Sequence, residues 1–310
     1  MKIALFCSSR NIIPPLKTGG TEQPIYYLAK ELARREHDVT LFAACGSRVT
    51  GVKIREISPF AVCSQQKFLN IQERIASFYD TNAMADFFRN EADEFDVIQF
   101  NSYLFYEILP FAQFTNTPIV IRINYPHDLM YTYIKKSLLL ISKKNQNIYF
   151  LPISNFIKSI MPNLPYLNPI FPGVDKREFK YSSKSGDYLL FMGRICKNKG
   201  AHIAIEIAKR IKQKLLIAGR IDQEDGNEYF KKYIKPNLGE NIFFLGEVDK
   251  KEKIKLYQEA RATVFPTVGT EAFGSVQIES MMCGTPVVAF DKGASREIII
   301  NGKNGFLVKN

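Results

Sequence analysis

The 310-residue chain is 46% hydrophobic and 24% charged, which excludes a disordered polymer and suits two domains of about 150 residues each. No apolar run approaches the roughly 20 residues that span a bilayer, and the hydrophobic stretch in MKIALFCSSRNIIPP is too short for a signal peptide, so a soluble chain is expected. The net charge of +11 falls mainly on the second half, with 17 basic and 14 acidic side chains in residues 1–150 against 25 and 17 in 151–310, an excess that suits nucleic acid, anionic lipid or phosphorylated ligands alike, although most lysines are ordinary solvated surface.

Short β-rich runs alternate with helix-period runs, the pattern of parallel sheets with crossover helices. In the first half the predicted strands are KIALFC, DVTLFAA, FDVIQFN, PIVIRIN and IYFLPIS, several of them apolar on both faces as buried parallel strands are. Between the first two, TEQPIYYLAKELARRE sets Ile25, Leu28, Ala29, Leu32 and Ala33 at helical spacing, with Thr21 as the expected cap and Pro24 in the first turn. Residues 161–186, rich in Pro, Asn, Gly and Ser, have no sustained period and are the expected interdomain linker. The alternation then restarts with YLLFMGR, a helix through AHIAIEIAKRIKQ, KLLIAGR, IFFLG, a helix near KKEKIKLYQEA, ATVFPT, a helix in FGSVQIESMMC closed by Gly284, and PVVAF. The expectation is α/β: two Rossmann-like, doubly wound parallel-sheet domains facing a central cleft, with ligands beyond the C-terminal ends of the strands.

The five cysteines have no paired spacing, and His37, His127 and His202 are far apart. That argues for a reducing cytoplasm and against a zinc or disulfide framework. Three places could carry chemistry. In PPLKTGGTEQP, Gly19 and Gly20 precede a helix N-terminus and leave amides open to an anion, or form an ordinary glycine turn. In MGRICKNKGAH, Arg194 and Lys199 stand on a strand-to-helix loop between Gly193 and Gly200, which suits a diphosphate, or are solvated surface cations.

The third place is PTVGTEAFGSVQIESMMCGTPVVAF. The amides of Phe273, Gly274 and Ser275 fall at a helix N-terminus, Glu271 precedes the helix, and Glu279 shares a helix face with Ser275. A ligand with phosphate in its middle and hydroxyls at both ends would satisfy all of these, which describes a nucleotide sugar. The alternative pairs Glu279 with a buried Lys or Arg and leaves Glu271 in solvent.

These stretches together resemble the retaining glycosyltransferases of the two-Rossmann-domain GT-B fold, glycosyltransferase family 4, essentially from end to end. KTGGTEQPIYYLAKELARREHDVTLFA is similar to the family's N-terminal Gly-Gly loop and helix, and FPGVDKREF to its interdomain segment. GRICKNKG is similar to its phosphate clamp, and EAFGSVQIESMMCGTPVVA to its Glu-x7-Glu region; within the family KTGGTEQ and VTLFAACGSRVTG look most like the branch of avilamycin-type glycosyltransferases.

The resemblance implies an acceptor-binding domain over residues 1–170 and a nucleotide-sugar-binding domain over 171–310. It implies that Arg194 and Lys199 neutralise a leaving diphosphate, Glu271 holds the hydroxyls of the transferred sugar and Glu279 those of the ribose, and that Phe273, Gly274 and Ser275 bind through their amides. His127, in RINYPHDLMYTY, is similar to the family's active-site histidine. The implied reaction moves a sugar from a nucleotide-diphosphate sugar, by default a UDP-sugar, to an acceptor hydroxyl with retention, with no metal and no cofactor beyond that co-substrate. The alternative is a catalytically weak or inactive nucleotide-sugar or glycan-binding member of the same fold. A sugar-nucleotide epimerase would need further acid/base residues.

Two departures stand out: the chain stops at NGKNGFLVKN, where family members continue through further helices, and it has Pro172-Gly173 where many members have Asn-Gly. The acceptor is expected to be a sugar, a lipid-linked molecule or a small molecule. DLMYTYIKKSLLLISKKNQN, with Lys135, Lys136, Lys143 and Lys144, reads as a helix with an apolar inner face; the alternative is a peripheral seat on the inner membrane face of a cytoplasmic protein. Nucleic acid is not expected as a partner, because the basic residues are dispersed without interleaved aromatics.

Overall fold

The computed structural model describes all residues except 16–18, 66–70, 102–107, 125–138, 141–142, 144–145, 162, 185, 223–224 and 310, and Glu73 by its backbone alone. The chain forms two compact units, Met1–Phe171 and Pro172–Asn310.

In the first unit six parallel strands lie in the order β3-β2-β1-β4-β5-β6. They are β1 (Lys2–Phe6), β2 (Asp38–Ala44), β3 (Lys53–Ser58), β4 (Val97–Phe100), β5 (Ile119–Ile123) and β6 (Ile148–Pro152). The second unit orders its strands β12-β11-β10-β7-β8-β9, from β7 (Tyr188–Met192), β8 (Lys214–Ala218), β9 (Ile242–Gly246), β10 (Ala260–Phe265), β11 (Val287–Phe290) and β12 (Gly305–Val308). Counted from its own first strand, each sheet runs 3-2-1-4-5-6, so each has a switch point between its first and fourth strands. Both units are therefore doubly wound α/β layers.

β3 and β12 were not anticipated. Both are edge strands, and a strand covered on few sides needs no continuous apolar run; half of KIREIS is exposed and only its last residue is buried.

The core of the first unit has two faces. On one, helix Glu22–Arg34 buries Ile25 and Ala29 completely against Ile3, Leu5 and Leu41, with Leu28 and Leu32 alongside. On the other, Phe6 stacks on Phe42 at 4.2 Å and on Phe100 at 4.6 Å, with Phe87 of helix Gln72–Asn90 edge-on at 4.8 Å. In the second unit the alanines of helix Ala201–Arg210, Ala201, Ala204 and Ala208, let it lie close on Leu189, Phe191, Leu215 and Ile217. Leu190 and Met192 face the other way, toward Leu256, Tyr257 and Cys283.

One expectation is corrected. Thr21 occupies the position before its helix but has helical backbone angles, φ −95° and ψ −41°, and its side chain caps nothing. A cap needs an extended backbone that folds the side-chain oxygen back over the first amides. Asp249, with φ −75° and ψ 174°, has it and accepts from the Glu252 amide at 2.8 Å ahead of helix Lys250–Glu259. The expected linker, 161–186, does contain the boundary between the two units, and parts of it are tied down. Residues 165–170 run along β6, with the Phe150 amide donating to Pro165 at 3.0 Å and the Leu167 amide to Phe150 at 2.9 Å. Phe179, 2% exposed, anchors the later part in the second core.

Thr21→Ala is therefore expected to leave stability within about 0.5 kcal/mol, whereas Asp249→Ala loses about 1 kcal/mol. Urea denaturation of the two variants checks the contrast.

Candidate active site

In the second unit β7 and β10 are adjacent and parallel, Thr263 beside Leu190. The loops that leave their C-terminal ends are thus neighbours at the switch point, although about 70 residues separate them in sequence. The β7 loop closes with a short 3-10 turn, Lys197–Lys199, and Gly200 at φ 73°. A side chain at Gly200 would strike the Pro266 carbonyl oxygen, 2.2 Å from where its Cβ would stand, so this position needs both the left-handed backbone and the missing side chain. The Asn198 carbonyl accepts from the amides of Val268 at 2.9 Å and Gly269 at 3.2 Å. That stitch brings the Lys199 Nζ onto the Glu271 carboxylate in an ion pair, with the two side chains 23% and 16% exposed.

Arg194, on the same loop, donates to Asp222 Oδ2 at 2.6 Å beyond the end of β8. The Asp222 amide is itself tied to the Ile195 carbonyl at 3.1 Å. Two cations of this loop therefore carry a carboxylate each, and both pairs keep contact with solvent. Such pairs exchange partners readily when a more highly charged anion arrives.

The β10 loop leads into helix Ser275–Met282, whose N-cap is Gly274 at φ 81° and ψ 70°, with no side chain capping it. The Gln277 amide donates to the Gly274 carbonyl at 2.9 Å; no side chain caps the amides ahead of it, and the helix dipole favours an anion there. Glu271 stands beside this terminus: a Cβ on Gly274 would lie 3.4 Å from the Glu271 Cγ. Phe273 is buried, and its carbonyl accepts from the Gln277 side chain at 3.0 Å.

One turn further on, the Glu279 carboxylate is 8% exposed; Lys253 donates to Oε1 at 2.8 Å and the Tyr257 hydroxyl to Oε2 at 2.9 Å. Burial pushes the Tyr257 phenol far up, so it stays a neutral donor. Burial, then the Glu279 charge, also raises the neighbouring Cys283 thiol to about 11. Ser280 locks the helix in place, its hydroxyl donating to the Thr285 carbonyl at 2.9 Å and accepting from the Thr263 hydroxyl at 2.8 Å.

Gly193, Arg194, Lys199, Glu271, Phe273, Gly274, Ser275 and Glu279 thus all stand on the two switch-point loops of the second unit and the helix that follows. Gly19 and Gly20 belong to the first unit, ahead of its first helix. Gly19 is closed in by Pro15, 2.4 Å from its would-be Cβ, whereas Gly20 faces open space. His127 lies outside the described residues, as do Lys135, Lys136 and Lys144. Sequence reasoning missed Asp222, Lys253 and Tyr257. Lys253 and Tyr257 are four residues apart on one helix face, a spacing visible in KKEKIKLYQEA; what they meet was not visible. Among the described residues no helix is long and apolar enough to cross a membrane.

The model of the family called glycosyl transferases group 1 matches residues 175–310, and that of glycosyltransferase family 4 matches residues 18–157. The chain belongs to the family 4 GT-B glycosyltransferases. Among this family's members, the phosphatidyl-myo-inositol mannosyltransferase of Mycobacterium leprae is 35% identical over 129 residues, 40% of this chain and 33% of that protein. The match thus spans about a third of that relative's length. Solved structures share the GT-B fold at low identity. Sucrose-phosphate synthase of Thermosynechococcus elongatus has a TM-score of 0.79 at 19% identity, covering 100% of this chain and 86% of that one. HepE of Anabaena, solved in complex with UDP and glucose, has a TM-score of 0.74 at 17% identity, with the same 100% and 86% coverage.

His202 opens the helix behind the Lys199 loop, its Nδ1 2.7 Å from the Tyr229 hydroxyl. Burial chiefly, with Lys197 assisting and Glu206 opposing, lowers its pKa from 6.5. Between the lowered value and 6.5 the folded protein binds fewer protons here than the unfolded chain, so stability rises with pH through that window and is lost as the pH falls through it. An NMR titration is expected to place His202 below 6.5, and His202→Gln to flatten the slope of stability against acid pH.

Proposed function

We propose that the chain is a retaining hexosyltransferase that moves a sugar from a nucleotide-diphosphate sugar, by default a UDP-sugar, to an acceptor hydroxyl. The observation that carries this reading is the Lys199–Glu271 pair beside an uncapped helix N-terminus. It sets a cation, a helix terminus that no side chain caps and a carboxylate within one loop system, as a diphosphate with hydroxyls on either side requires. The complex of HepE with UDP and glucose supports the choice of UDP.

The diphosphate displaces Glu271 from Lys199 and Asp222 from Arg194, and seats its oxygens on the amides of Gly274 and Ser275. Glu271, released, accepts from the hydroxyls of the sugar. Glu279, braced by Lys253 and Tyr257, accepts from the ribose. As the bond from the anomeric carbon to the phosphate oxygen breaks, the electron pair goes to the diphosphate and the sugar gains oxocarbenium character. Lys199 and Arg194 stabilise the growing negative charge. The acceptor oxygen bonds to the anomeric carbon on the face the diphosphate left, its proton passing to the departing phosphate oxygen, so configuration is retained. No metal takes part in this scheme: the chain's own cations serve the leaving group.

A thermal-shift screen of UDP-, GDP- and ADP-sugars tests the donor, since a ligand that binds only the folded state raises the melting temperature. One of the three is expected to do so. With that donor, Lys199→Ala, Glu271→Ala and Glu279→Ala are each expected to lower turnover by about 100-fold or more while far-UV circular dichroism stays unchanged. NMR of the product's anomeric proton reads retention. Unchanged turnover in all three variants would overturn the assignment.

A further inference from the structure

The first unit holds a cation that the scheme above leaves without a task. Arg122 lies one residue before the end of β5, in register with Leu151 of β6. Phe6, Phe100 and Ile121 are register partners and share the phenylalanine face of the sheet. Arg122, the next residue, therefore points to the opposite face, where helix Glu22–Arg34 packs on Leu5 and Cys7. Arg122 is 6% exposed, and among the described residues its Nε has no hydrogen-bond partner. Burial alone lowers its pKa to about 10, with no nearby charge contributing, so it remains a cation at neutral pH.

A buried guanidinium without a carboxylate is costly to the folded state. Most proteins avoid the arrangement or pair the charge. A second orphan stands on the same face at the same end of the sheet: the Nε2 of Gln23, in the first turn of helix Glu22–Arg34, is buried without a partner. Thr21 adds no cap to that helix terminus. The C-terminal edge of an open parallel sheet is where its ligands collect, and β5 is one strand from the β1/β4 switch point. Arg122 thus offers a buried, unpartnered Nε–H on a guanidinium fork at the ligand-binding edge. Its geometry fits two oxygens of one oxyanion.

We propose that Arg122 marks an anion subsite in the first unit that takes a phosphate or carboxylate group of the acceptor, with the Gln23 side chain as a further donor. This rests on the transferase reading and deepens it, because the acceptor would be an anionic molecule. An uncharged acceptor has no use for the residue.

The test uses the full chain carrying Arg194→Ala and Lys199→Ala, which remove both cations of the diphosphate seat of the second unit. Inorganic phosphate and, separately, acetate are titrated into it by calorimetry. Saturable binding of one anion per chain is expected, and which anion binds more tightly tells phosphate from carboxylate. Adding Arg122→Met is expected to weaken that binding at least tenfold and to raise the melting temperature of the empty protein, since a buried unpaired charge is removed. Adding Arg122→Lys instead keeps the charge but loses the fork, and is expected to weaken binding several-fold; it decides the matter if Arg122→Met does not fold. Absence of anion binding, unchanged affinity in both variants, or a lowered melting temperature for Arg122→Met would overturn the proposal. Failure of every nucleotide sugar to bind the unmutated chain would instead strike the transferase reading, and the anion titration would still report on Arg122.

Discussion

The second unit turns on the ion pair between Lys199 and Glu271. It exists because β7 and β10 are paired in parallel, so that two loops far apart in sequence leave the sheet side by side. The Asn198 carbonyl bonded to two successive amides holds the loops in one orientation, and Gly200 permits the approach. An ion pair at such partial exposure adds little to stability in itself. Its significance is that it keeps a cation and a carboxylate in place, each satisfied, at the mouth of an uncapped helix.

Glu279 shows the complementary arrangement. Lys199 and Glu271 form a pair that a ligand can open, whereas the Glu279 carboxylate is held at both oxygens by Lys253 and Tyr257 and is nearly buried. The helix carrying it is anchored by Ser280, Thr263 and Thr285, a buried network in which each hydroxyl has a partner. A buried carboxylate on a mostly apolar helix would otherwise be destabilising. Of the alternative weighed from sequence, the pairing of Glu279 with a basic residue is found, whereas Glu271 is paired with Lys199 and not left in solvent. A braced carboxylate can still accept hydrogen bonds, because each oxygen has a second lone pair.

The two units share a strand order and differ in how they treat charge. In the second, the loop cations Arg194 and Lys199 each carry a carboxylate. In the first, Arg122 is buried deeper and burial alone acts on it. The same sheet architecture thus presents paired, exchangeable charges at one switch point and, one strand from the other, a desolvated cation.

Much of this was legible in the sequence. Buried parallel strands read as apolar on both faces, and the five strands expected in the first half appear as β1, β2, β4, β5 and β6. β3 and β12 escaped because edge strands are covered on fewer sides, and Thr21 misled because residue type does not set the backbone angles a cap requires. The residues of the two switch-point loops were all identifiable from glycine placement, charge and spacing. That Lys199 meets Glu271, that Arg194 meets Asp222 and that Lys253 and Tyr257 brace Glu279 depended on strand order and helix packing, which bring together residues 22–72 positions apart. The sequence by itself determined which residues stand at strand ends and helix starts, because those follow from local periodicity and turn chemistry. Only the tertiary structure decided which charges are paired and which, like Arg122, are not, because pairing is set by burial and by neighbours across the sheet.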